Sequence, residues 1–394
     1  MLEQLKPQPA DALLALIKLH DADPRADKID LGVGVYRTDT GATPVFAAIK
    51  AAERRLVDEQ DSKAYLGPEG DMGFVEALMP WIFGTDFTMG GRISGMQTPG
   101  GTGAVRLAAA LAARSGTRRI HMGVPSWPNH KQIFDDLGLE TLPFAHVNNA
   151  GEADLDAVLG AIAGAGEGDA VLLHGCCHNP TGIDYSFAQW QDIAAALADS
   201  SAAPIIDLAY HGLGRGMEED VQGARAVLAA VPEALVAYSC DKNFGLYRDR
   251  VGALYFPAAE PDQLDTIASN GNALARAAWS MPPDHGGAAV RMVLRDSGLT
   301  DQWQAELSDM RARMRRVRER LAAADNTIPG LGLAAIGAGN GLFAMLPLDK
   351  PQIEALRRDH GIYMAGSGRI NVAGLTDDNA PRFIAALEKV VATG

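Results

Sequence analysis

The segment YSCDKNFGLYRDRVG, residues 238–252, contains a lysine whose neighbours could give it a nucleophilic role. Lys242 follows an apolar run, and Ser239 and Arg250 flank it within the same segment. A lysine that is partly desolvated and close to other cations has a lowered pKa and can form a covalent imine with a carbonyl compound. A lysine picked at random is usually a solvated surface side chain. Lys242 is therefore a candidate nucleophile because it stands at the end of a predicted strand.

A carboxylate stands in the same position after another apolar run. IIDLAYHG, residues 205–212, places Asp207 at the end of the run and Tyr210 shortly after it. Such a carboxylate either caps the following helix or acts as a functional anion, and caps are the commoner outcome. Asp207 alone therefore leaves both interpretations open.

A glycine-rich turn, TPGGTG at residues 98–103, opens a predicted helix. The first N–H groups of a helix bind anions such as phosphate, and glycines let the backbone approach closely. The turn matches neither the Walker A pattern nor GxGxxG, so nucleotide binding is not supported. An ordinary turn explains the glycines equally well.

HGCCHNPTG, residues 174–182, contains four side chains that could bind a metal, namely His174, Cys176, Cys177 and His178. Metal sites favour spacings such as Cys-x2-Cys, and adjacent cysteines do not easily reach one tetrahedral ion. After a buried strand, small apolar thiols are the ordinary finding, so we predict no metal. Asn179 stands in a turn at the end of the strand, where it can donate a hydrogen bond.

The elements that position these residues alternate between helical patterns and continuous apolar runs. Runs of this kind indicate strands buried on both faces, as in a mostly parallel sheet flanked by helices. Such α/β folds bind ligands beyond the carboxyl ends of the strands, where His174, Asp207 and Lys242 stand. The predicted elements are helix 102–114, strand 119–123, helix 130–137, strand 140–144, helix 154–163, strand 170–174, helix 187–198, and strands 204–208, 235–239 and 251–256.

The pattern changes after Pro282 and Pro283, where an α+β satellite is predicted. Its elements are a long charged helix at 301–324, strand 342–346, helix 351–360, strand 369–372 and a final helix. The segment DLGVGVY, residues 30–36, needs strand neighbours and is expected to pack with this part. We therefore expect an N-terminal arm at 1–12, a small domain formed by 13–43 with 301–394, and a large domain at 44–300.

Six arginines crowd residues 311–320 of the long helix. In isolation they suggest a basic patch for nucleic acid. Because Glu306, Asp309 and Glu319 are interleaved with them in an acidic chain, we expect a solvated helix face without function.

Composition limits the class of protein. The chain has 394 residues, 47% hydrophobic and 21% charged, with a formal net charge of -14 and three cysteines. Such a charge repels nucleic acid and anionic membranes, and the cysteines are too few for a disulfide framework. The first residues do not form a secretory signal, and no apolar stretch approaches the length of a membrane span. We predict a soluble cytoplasmic protein.

Taken together, the motifs resemble the class I pyridoxal-phosphate aminotransferases, in particular the aspartate and aromatic amino acid aminotransferase subgroup. The resemblance runs from about Ile29 to Gly374 and is specific, because eight motifs occur in the family's order. They are LGVGVY, YLGPEG, TPGGTGA, PSWPNHK, HGCCHNPTG, DLAYHG, SCDKNFGLYRDRVG and SGRINVAG.

The resemblance implies pyridoxal 5'-phosphate as the cofactor and assigns its contacts. Lys242 matches the lysine that holds the cofactor and moves the substrate's α-proton, and Asp207 matches the carboxylate paired with the pyridine nitrogen. Tyr210 and Asn179 match the partners of the phenolic oxygen, Trp127 the ring stacked on the cofactor, and His130 the partner of the aspartate. The phosphate would contact Gly101, Thr102, Ser239, Arg250 and, from the neighbouring subunit, Tyr65.

Substrate recognition is implied by the same resemblance. Arg369 matches the arginine that binds the α-carboxylate through its bidentate fork, with Asn179 and Gly34 beside it and Trp127 over the site. Arg276 matches the arginine that crosses a homodimer interface to bind a distal carboxylate.

Two departures from the family pattern bear on binding. Asp241 stands where the subgroup has serine, and a carboxylate beside the phosphate should weaken cofactor binding unless it turns away or is neutralised. Ala278 and Trp279 replace an Asn-Tyr pair near Arg276, which makes the far end of the pocket more apolar and favours aromatic substrates.

The implied enzyme is an aromatic-amino-acid and aspartate transaminase with shared active sites. It would pass the amino group of an L-amino acid to 2-oxoglutarate in a ping-pong reaction that gives a 2-oxo acid and L-glutamate. A strict aspartate aminotransferase is the first alternative, followed by β-decarboxylation or β-elimination with the same cofactor. A non-catalytic ligand-binding protein on the same fold is the alternative from another class.

Overall fold

The computed structural model describes residues 2–7, 12–85 and 91–392, so the predicted arm at 1–12 lies partly outside the described residues. We number the α-helices and strands in chain order. The helices are α1 Ala12–Ala22, α2 Ala47–Glu59, α3 Met72–Phe83, α4 Gly100–Ser115, α5 Pro128–Asp136, α6 Leu155–Ala163, α7 Phe187–Ala198, α8 Gln222–Ala230, α9 Leu264–Ala278, α10 Asp284–Arg295, α11 Ser297–Ala323, α12 Leu333–Ala338, α13 Lys350–His360 and α14 Ala380–Ala392.

The strands are β1 Ile29–Asp30, β2 Ile93–Pro99, β3 Arg119–Val124, β4 Glu140–Ala145, β5 Ala170–His174, β6 Ala203–Leu208, β7 Leu235–Ser239, β8 Val251–Pro257, β9 Phe343–Met345, β10 Ile362–Tyr363 and β11 Arg369–Asn371. Short 3-10 helices cover Leu2–Gln4, Glu219–Val221, Pro261–Gln263 and Val372–Gly374. The α-carbon contacts divide the chain into two compact units, and the division falls within α11, between Arg313 and Met314.

The larger unit, residues 44–313 with 339–341, is built on a seven-stranded sheet in the order β2-β8-β7-β6-β5-β3-β4. β8 runs antiparallel to both of its neighbours, and the pairs from β7 through β4 are parallel. The predicted α/β class with a mostly parallel sheet is confirmed. Parallel strands need helical crossovers, and the helices α4 to α8 supply them on the faces of the sheet.

The apolar runs explain why this sheet forms. Every residue of β8 is buried, as are Ala170–Leu173 of β5 and most of β6 and β7. Strands buried on both faces leave no room for polar alternation, which is why they read as continuous apolar segments in the sequence. Two of these helices, α6 and α7, begin where side chains satisfy their first N–H groups: Asp154 accepts from Ala157 N at 3.0 Å, and Ser186 forms a capping box with Gln189.

The smaller unit comprises residues 1–43, 314–338 and 342–394, of which the described part has its own core. β1 pairs in parallel with β10, and β9 pairs antiparallel with β11. Both chain ends therefore contribute to one unit, because Ile29 and Asp30 have their ladder partners at Ile362 and Tyr363.

The expectation of a solvated arginine face on the long helix is wrong for two of its members. Arg313 and Arg318 are 4% and 1% exposed. The Arg318 guanidinium donates to the carbonyls of Ile336 at 2.7 Å and Phe343 at 2.6 Å. A buried guanidinium needs acceptors for its N–H groups, and one carbonyl of α12 and one of β9 accept from two of them.

Among the described residues, no helix combines the length and the apolar character that crossing a bilayer requires.

Candidate active site

The candidate residues of the larger unit lie at the carboxyl edge of the sheet. His174, the last residue of β5, is paired in register with Asp207 of β6, and Asp207 is paired in turn with Ala237 of β7. Ser239 ends β7, and Arg250 immediately precedes the antiparallel β8, so both stand at this same edge. Parallel strands thus bring together residues that are far apart in sequence.

A buried histidine holds the Asp207 carboxylate. Nε2 of His130 lies 2.9 Å from Oδ2 of Asp207, and Ser126 Oγ links His130 Nδ1, at 2.9 Å, to His174 Nε2, at 3.1 Å. Burial raises the pKa of Asp207, but the hydrogen bond and charge of His130, with His174 and Lys242, outweigh it and leave the pKa below the ordinary value. Asp207 is therefore an anion at neutral pH.

Sequence reasoning missed Ser126, and it named His174 as a candidate at the end of its strand and as a possible metal ligand, without a role beside His130. Desolvation lowers the pKa of His174 to about 3, so this ring is neutral and serves as a hydrogen-bond partner. The available signal was positional, because Ser126 stands just after strand β3 and four residues before His130, which places both on one side of the turn into α5.

A second pair of polar groups faces Lys242. The amide of Asn179 donates to the Tyr210 hydroxyl at 3.2 Å, and Lys242 Nζ lies 5.2 Å from the centre of the Tyr210 ring. Asn179 is buried, and its Oδ1 has no hydrogen-bond partner in the described part of the chain. An orphaned buried carbonyl of this kind indicates a place where a ligand supplies the missing donor.

The pKa of Lys242 lies below its ordinary value. Desolvation is the largest cause, and the positive charge of Arg250 adds to it, whereas Asp241 and Asp207 act in the opposite direction. A lysine with a lowered pKa is more often neutral, which is the form that attacks a carbonyl carbon.

The glycine-rich turn brings the first turn of α4 against β7. A Cβ on Gly101 would lie 2.8 Å from Ser239 Cβ, so only glycine fits. The N–H groups of the first helical turn have no partner within the helix and are available to an anion, and Thr102 is in this turn. The turn, Ser239 and Arg250 therefore lie together and form a candidate anion-binding concavity, which we call the concavity.

Asp241 does not turn away from this concavity. Its buried carboxylate is ion-paired with Arg250 Nη1 and accepts a hydrogen bond from Val251 N at 3.1 Å. Arg250 adopts a φ of 56°, a left-handed conformation that is uncommon outside glycine and that concentrates at functional sites.

The smaller unit contains the other predicted arginine site. Arg369, the first residue of β11, packs its guanidinium over the Phe343 ring at 4.6 Å from the ring centre and donates to Gly32 O at 3.0 Å. The same ring packs against Gly34, where a Cβ would lie 2.7 Å from Phe343 Cζ. Gly34 and Arg369 are thus brought together around one aromatic ring.

Two predicted residues lie on the surface of the single chain. Tyr65 is 97% exposed, and Arg276, near the end of α9, is exposed and donates to Ser280 Oγ at 2.5 Å. Trp279 is half-buried, and its Nε1 has no acceptor among the described residues. Trp127 lies with its ring edge-on to His130, at 5.0 Å between ring centres.

The sulfur atoms of the two adjacent cysteines lie close together, although adjacent cysteines do not easily reach one metal ion. Ligand atoms of Cys176, Cys177 and Asp220 are within 4.8 Å of one another, without either histidine of the segment. Both thiols have raised pKa values: a hydrogen bond from Cys177 lowers that of Cys176, yet burial leaves it at about 11. The Asp220 oxygens already accept from three backbone N–H groups, of Gly212, Gly214 and Arg215, so the cluster has a structural explanation.

Comparison with known proteins identifies relatives along nearly the whole chain. The family described as Aminotransferase class I and II matches residues 26–387. The chain is 50% identical to a tyrosine aminotransferase of Rhizobium meliloti (strain 1021) over 376 residues, which are 95% of this chain and 96% of the relative. It is 41% identical to an aspartate aminotransferase of Escherichia coli (strain K12) over 399 residues, 99% of this chain and 100% of the relative.

A solved structure has the same fold. The aromatic-amino-acid aminotransferase from Burkholderia pseudomallei, covalently bound to pyridoxal phosphate, matches with a TM-score of 0.95 and 32% identity over 99% of each chain.

Proposed function

Because the chain belongs to the class I and II aminotransferases, we propose that it transfers the amino group of an aromatic L-amino acid or of L-aspartate to 2-oxoglutarate. The enzyme is a pyridoxal-phosphate-dependent aminotransferase. The reaction is ping-pong: the donor leaves as a 2-oxo acid before 2-oxoglutarate enters and becomes L-glutamate. The observation that carries the proposal is the convergence of Lys242 and the ionised Asp207 at one edge of the sheet.

The described residues fit the cofactor at both of its ends. The concavity of Gly101, Thr102, Ser239 and Arg250 suits a phosphate, and it exists because the turn lacks side chains that would fill it. At the other end, the orphaned Oδ1 of Asn179 lies in a buried site beside the Tyr210 hydroxyl. Trp127 would cover the cofactor ring. Its neighbour His130 holds Asp207 through a hydrogen bond.

The chain's own side chains have distinct roles. When bound, pyridoxal phosphate acts as an electron sink that acidifies the substrate's α-proton. Asp207, held as an anion, keeps a proton on the pyridine nitrogen. Lys242 would hold the cofactor covalently and, as the general base of the site, would take the substrate's α-proton on its Nζ and give it back during the transfer. Tyr210 and Asn179 hold the phenolic oxygen.

In this proposal two arginines bind the carboxylates of the substrate. Arg369 binds the α-carboxylate common to every donor and acceptor, with Gly34 beside it, because a guanidinium fork matches a carboxylate bidentately. Arg276 binds the distal carboxylate of aspartate, glutamate or 2-oxoglutarate. The half-buried Trp279 gives aromatic donors an apolar surface at the same end of the pocket.

The proposal includes a homodimer, which the exposure of two of these residues supports. Tyr65 and Arg276 are exposed in the single chain, and each serves the active site of the partner subunit in this proposal. In this proposal the larger unit, residues 44–313 with 339–341, is the cofactor-binding domain and therefore extends beyond the predicted boundary at residue 300, and the smaller unit is the small domain. A cytoplasmic location is supported by three buried, unbridged cysteines, which suit a reducing compartment.

The test is the visible absorption spectrum of the cofactor-loaded protein, titrated separately with L-aspartate and L-phenylalanine. Loss of the band of the lysine-bound cofactor with both donors, reversed by 2-oxoglutarate, is the expected result. A response to aspartate alone would instead identify a strict aspartate aminotransferase, the activity named for the Escherichia coli relative.

A Lys242→Ala variant separates an enzyme from a non-catalytic binding protein. Turnover should fall by several orders of magnitude, since no other group replaces the covalent attachment and the proton transfer. A protein that keeps full turnover without Lys242 would overturn the proposed function.

A further inference from the structure

The carboxylate of Asp241 is paired with Arg250, one of the side chains proposed to bind the cofactor's phosphate. Its Oδ2 is paired with Arg250 Nη1, and its backbone N–H donates to Ser239 Oγ at 3.2 Å. A Cβ built on Gly100 would lie 2.9 Å from Asp241 Oδ2 and 2.7 Å from Arg250 Nη2, so the ion pair borders the first turn of α4. An anion of the protein itself therefore lies in the concavity.

The ion pair is not a surface pair whose charges are screened by solvent. Asp241 is 1% exposed on its side chain, and its second oxygen is committed to Val251 N. A buried carboxylate depends on such partners, because an unpaired charge in the interior is strongly destabilising. Arg250, 40% exposed on its side chain, is the partner that a ligand can reach.

We propose that Asp241 is an internal ligand of the phosphate-binding arginine, with which the phosphate of the cofactor competes. This inference rests on the proposed function, in which Lys242 holds pyridoxal phosphate and Arg250 and Ser239 hold its phosphate. Asp241 thereby determines how much of the cofactor's affinity comes from the phosphate.

The competition follows from charge. A phosphate on Arg250 and an ionised Asp241 place two anions at one guanidinium, and each weakens the other's binding. Lys242 and Arg250 are the cations that face Asp241, and the Cys240 thiol is the other titratable neighbour. Cofactor binding therefore requires Asp241 to release Arg250 or to take up a proton.

The experiment compares two aldehydes that differ only in the phosphate. Equilibrium dissociation constants of pyridoxal phosphate and pyridoxal are measured on the full-length, cofactor-depleted chain from the band of the lysine-bound ligand. The ratio of the two constants isolates the phosphate, since any effect of Asp241 on Lys242 acts on both ligands. Wild type, Asp241→Asn and Asp241→Ser are compared.

The expected result is a ratio that shifts at least about tenfold in favour of pyridoxal phosphate in both variants, with pyridoxal affected less. Asp169→Asn is the matched control: Asp169 is likewise buried and paired with a partly exposed arginine, Arg119, but it precedes β5 at the opposite edge of the sheet. Its ratio should equal that of wild type.

Two outcomes would overturn the inference. An unchanged ratio means that Asp241 does not compete with the phosphate, and a ratio shifted against pyridoxal phosphate means that Asp241 orients Arg250 for it. Absence of the band with both ligands in wild type is a separate result, because it would refute the proposed function and remove the basis of this inference with it. The serine variant keeps the test decisive if the asparagine variant does not fold.

Discussion

Nε2 of His130 and Oδ2 of Asp207 are 2.9 Å apart, and both side chains are buried at the carboxyl edge of the sheet. The histidine orients the carboxylate and helps keep it ionised, and it is itself fixed through Ser126 Oγ. The negative charge of Asp207 is therefore maintained in part by a buried neighbouring side chain.

The first prediction concerns this charge. Asp207→Asn should lower kcat by about 10²–10⁴-fold, because a neutral amide cannot keep the pyridine nitrogen protonated. His130→Asn should have a smaller effect on kcat and should shift the pH profile of the single-turnover rate. Stopped-flow absorbance with L-aspartate measures both. If Asp207→Asn turned over within a few-fold of wild type, the role of Asp207 would be refuted.

The second prediction separates the two arginines. Arg369→Lys should raise KM for every amino donor by about 10- to 100-fold, because lysine cannot replace the bidentate fork. Arg276→Lys should raise KM for aspartate and 2-oxoglutarate but leave KM for phenylalanine unchanged. Steady-state kinetics with both donors decide it, each variant serving as the other's control. Equal losses on phenylalanine in both variants would contradict the assignment of Arg276.

The third prediction addresses donor preference. Replacing Ala278 and Trp279 together by Asn and Tyr restores the family's pair and reduces the apolar surface next to Arg276. The ratio of kcat/KM for phenylalanine to that for aspartate should fall by about 10-fold, roughly the worth of a small change in an apolar pocket. Phe187→Ala, at an exposed site on α7, is a control that should leave the ratio unchanged. An increase in this ratio of kcat/KM values would refute the hypothesis that Ala278 and Trp279 favour aromatic donors.

The fourth prediction concerns stability at acid pH. His211 is buried, its Nδ1 lies 2.9 Å from Tyr238 Oη, and its Nε2 is 2.6 Å from Met217 O. Desolvation lowers the pKa of His211 from 6.5 to about 4, against the opposing effect of the Met217 carbonyl. Below pH 6.5 the unfolded chain binds a proton that the folded chain does not, so stability falls as the pH drops toward 4.

Urea unfolding at pH 7 and pH 5 measures this effect. His211 should account for about 2 kcal/mol of the loss in unfolding free energy between the two, which His211→Gln removes. The exposed His285→Gln should show the wild-type difference. The same pH dependence in wild type and His211→Gln would show that His211 is protonated in the folded protein.

The parallel part of the sheet was predictable because its strands are apolar throughout. Strands 170–174 and 235–239 and helix 187–198 occur with the predicted bounds. β2, ISGMQTP, has no continuous apolar run, because it contains Gln97 and Thr98. Both residues are nevertheless buried, and their side chains are hydrogen-bonded. Gln97 accepts from Asp71 N and donates to Pro283 O. Such long-range pairing satisfies a polar strand only in the folded chain, so no local pattern indicates it.

The site was predictable in its residue types more than in its pairings. Lys242, Asp207 and Asn179 stand after apolar runs, which is a local signal. The burial of Arg318 depends on carbonyls of β9 and α12, and the pairing of Asp241 with Arg250 occurs where Arg250 has a left-handed backbone. Neither condition is visible in the spacing of charges, which is why the arginine-rich helix was misread as solvated.

The placement of β2 at the edge of the sheet has a consequence for biosynthesis. Its ladder partner is β8, about 150 residues later in the chain, so β2 is synthesised long before it can pair. Ser239 and Arg250 likewise emerge from the ribosome well after the glycine turn beside which they will lie. A nascent chain that ends before Arg250 therefore lacks one of the side chains proposed to bind the phosphate. In the proposed function, pyridoxal phosphate would find its full set of phosphate partners only after that residue has been synthesised.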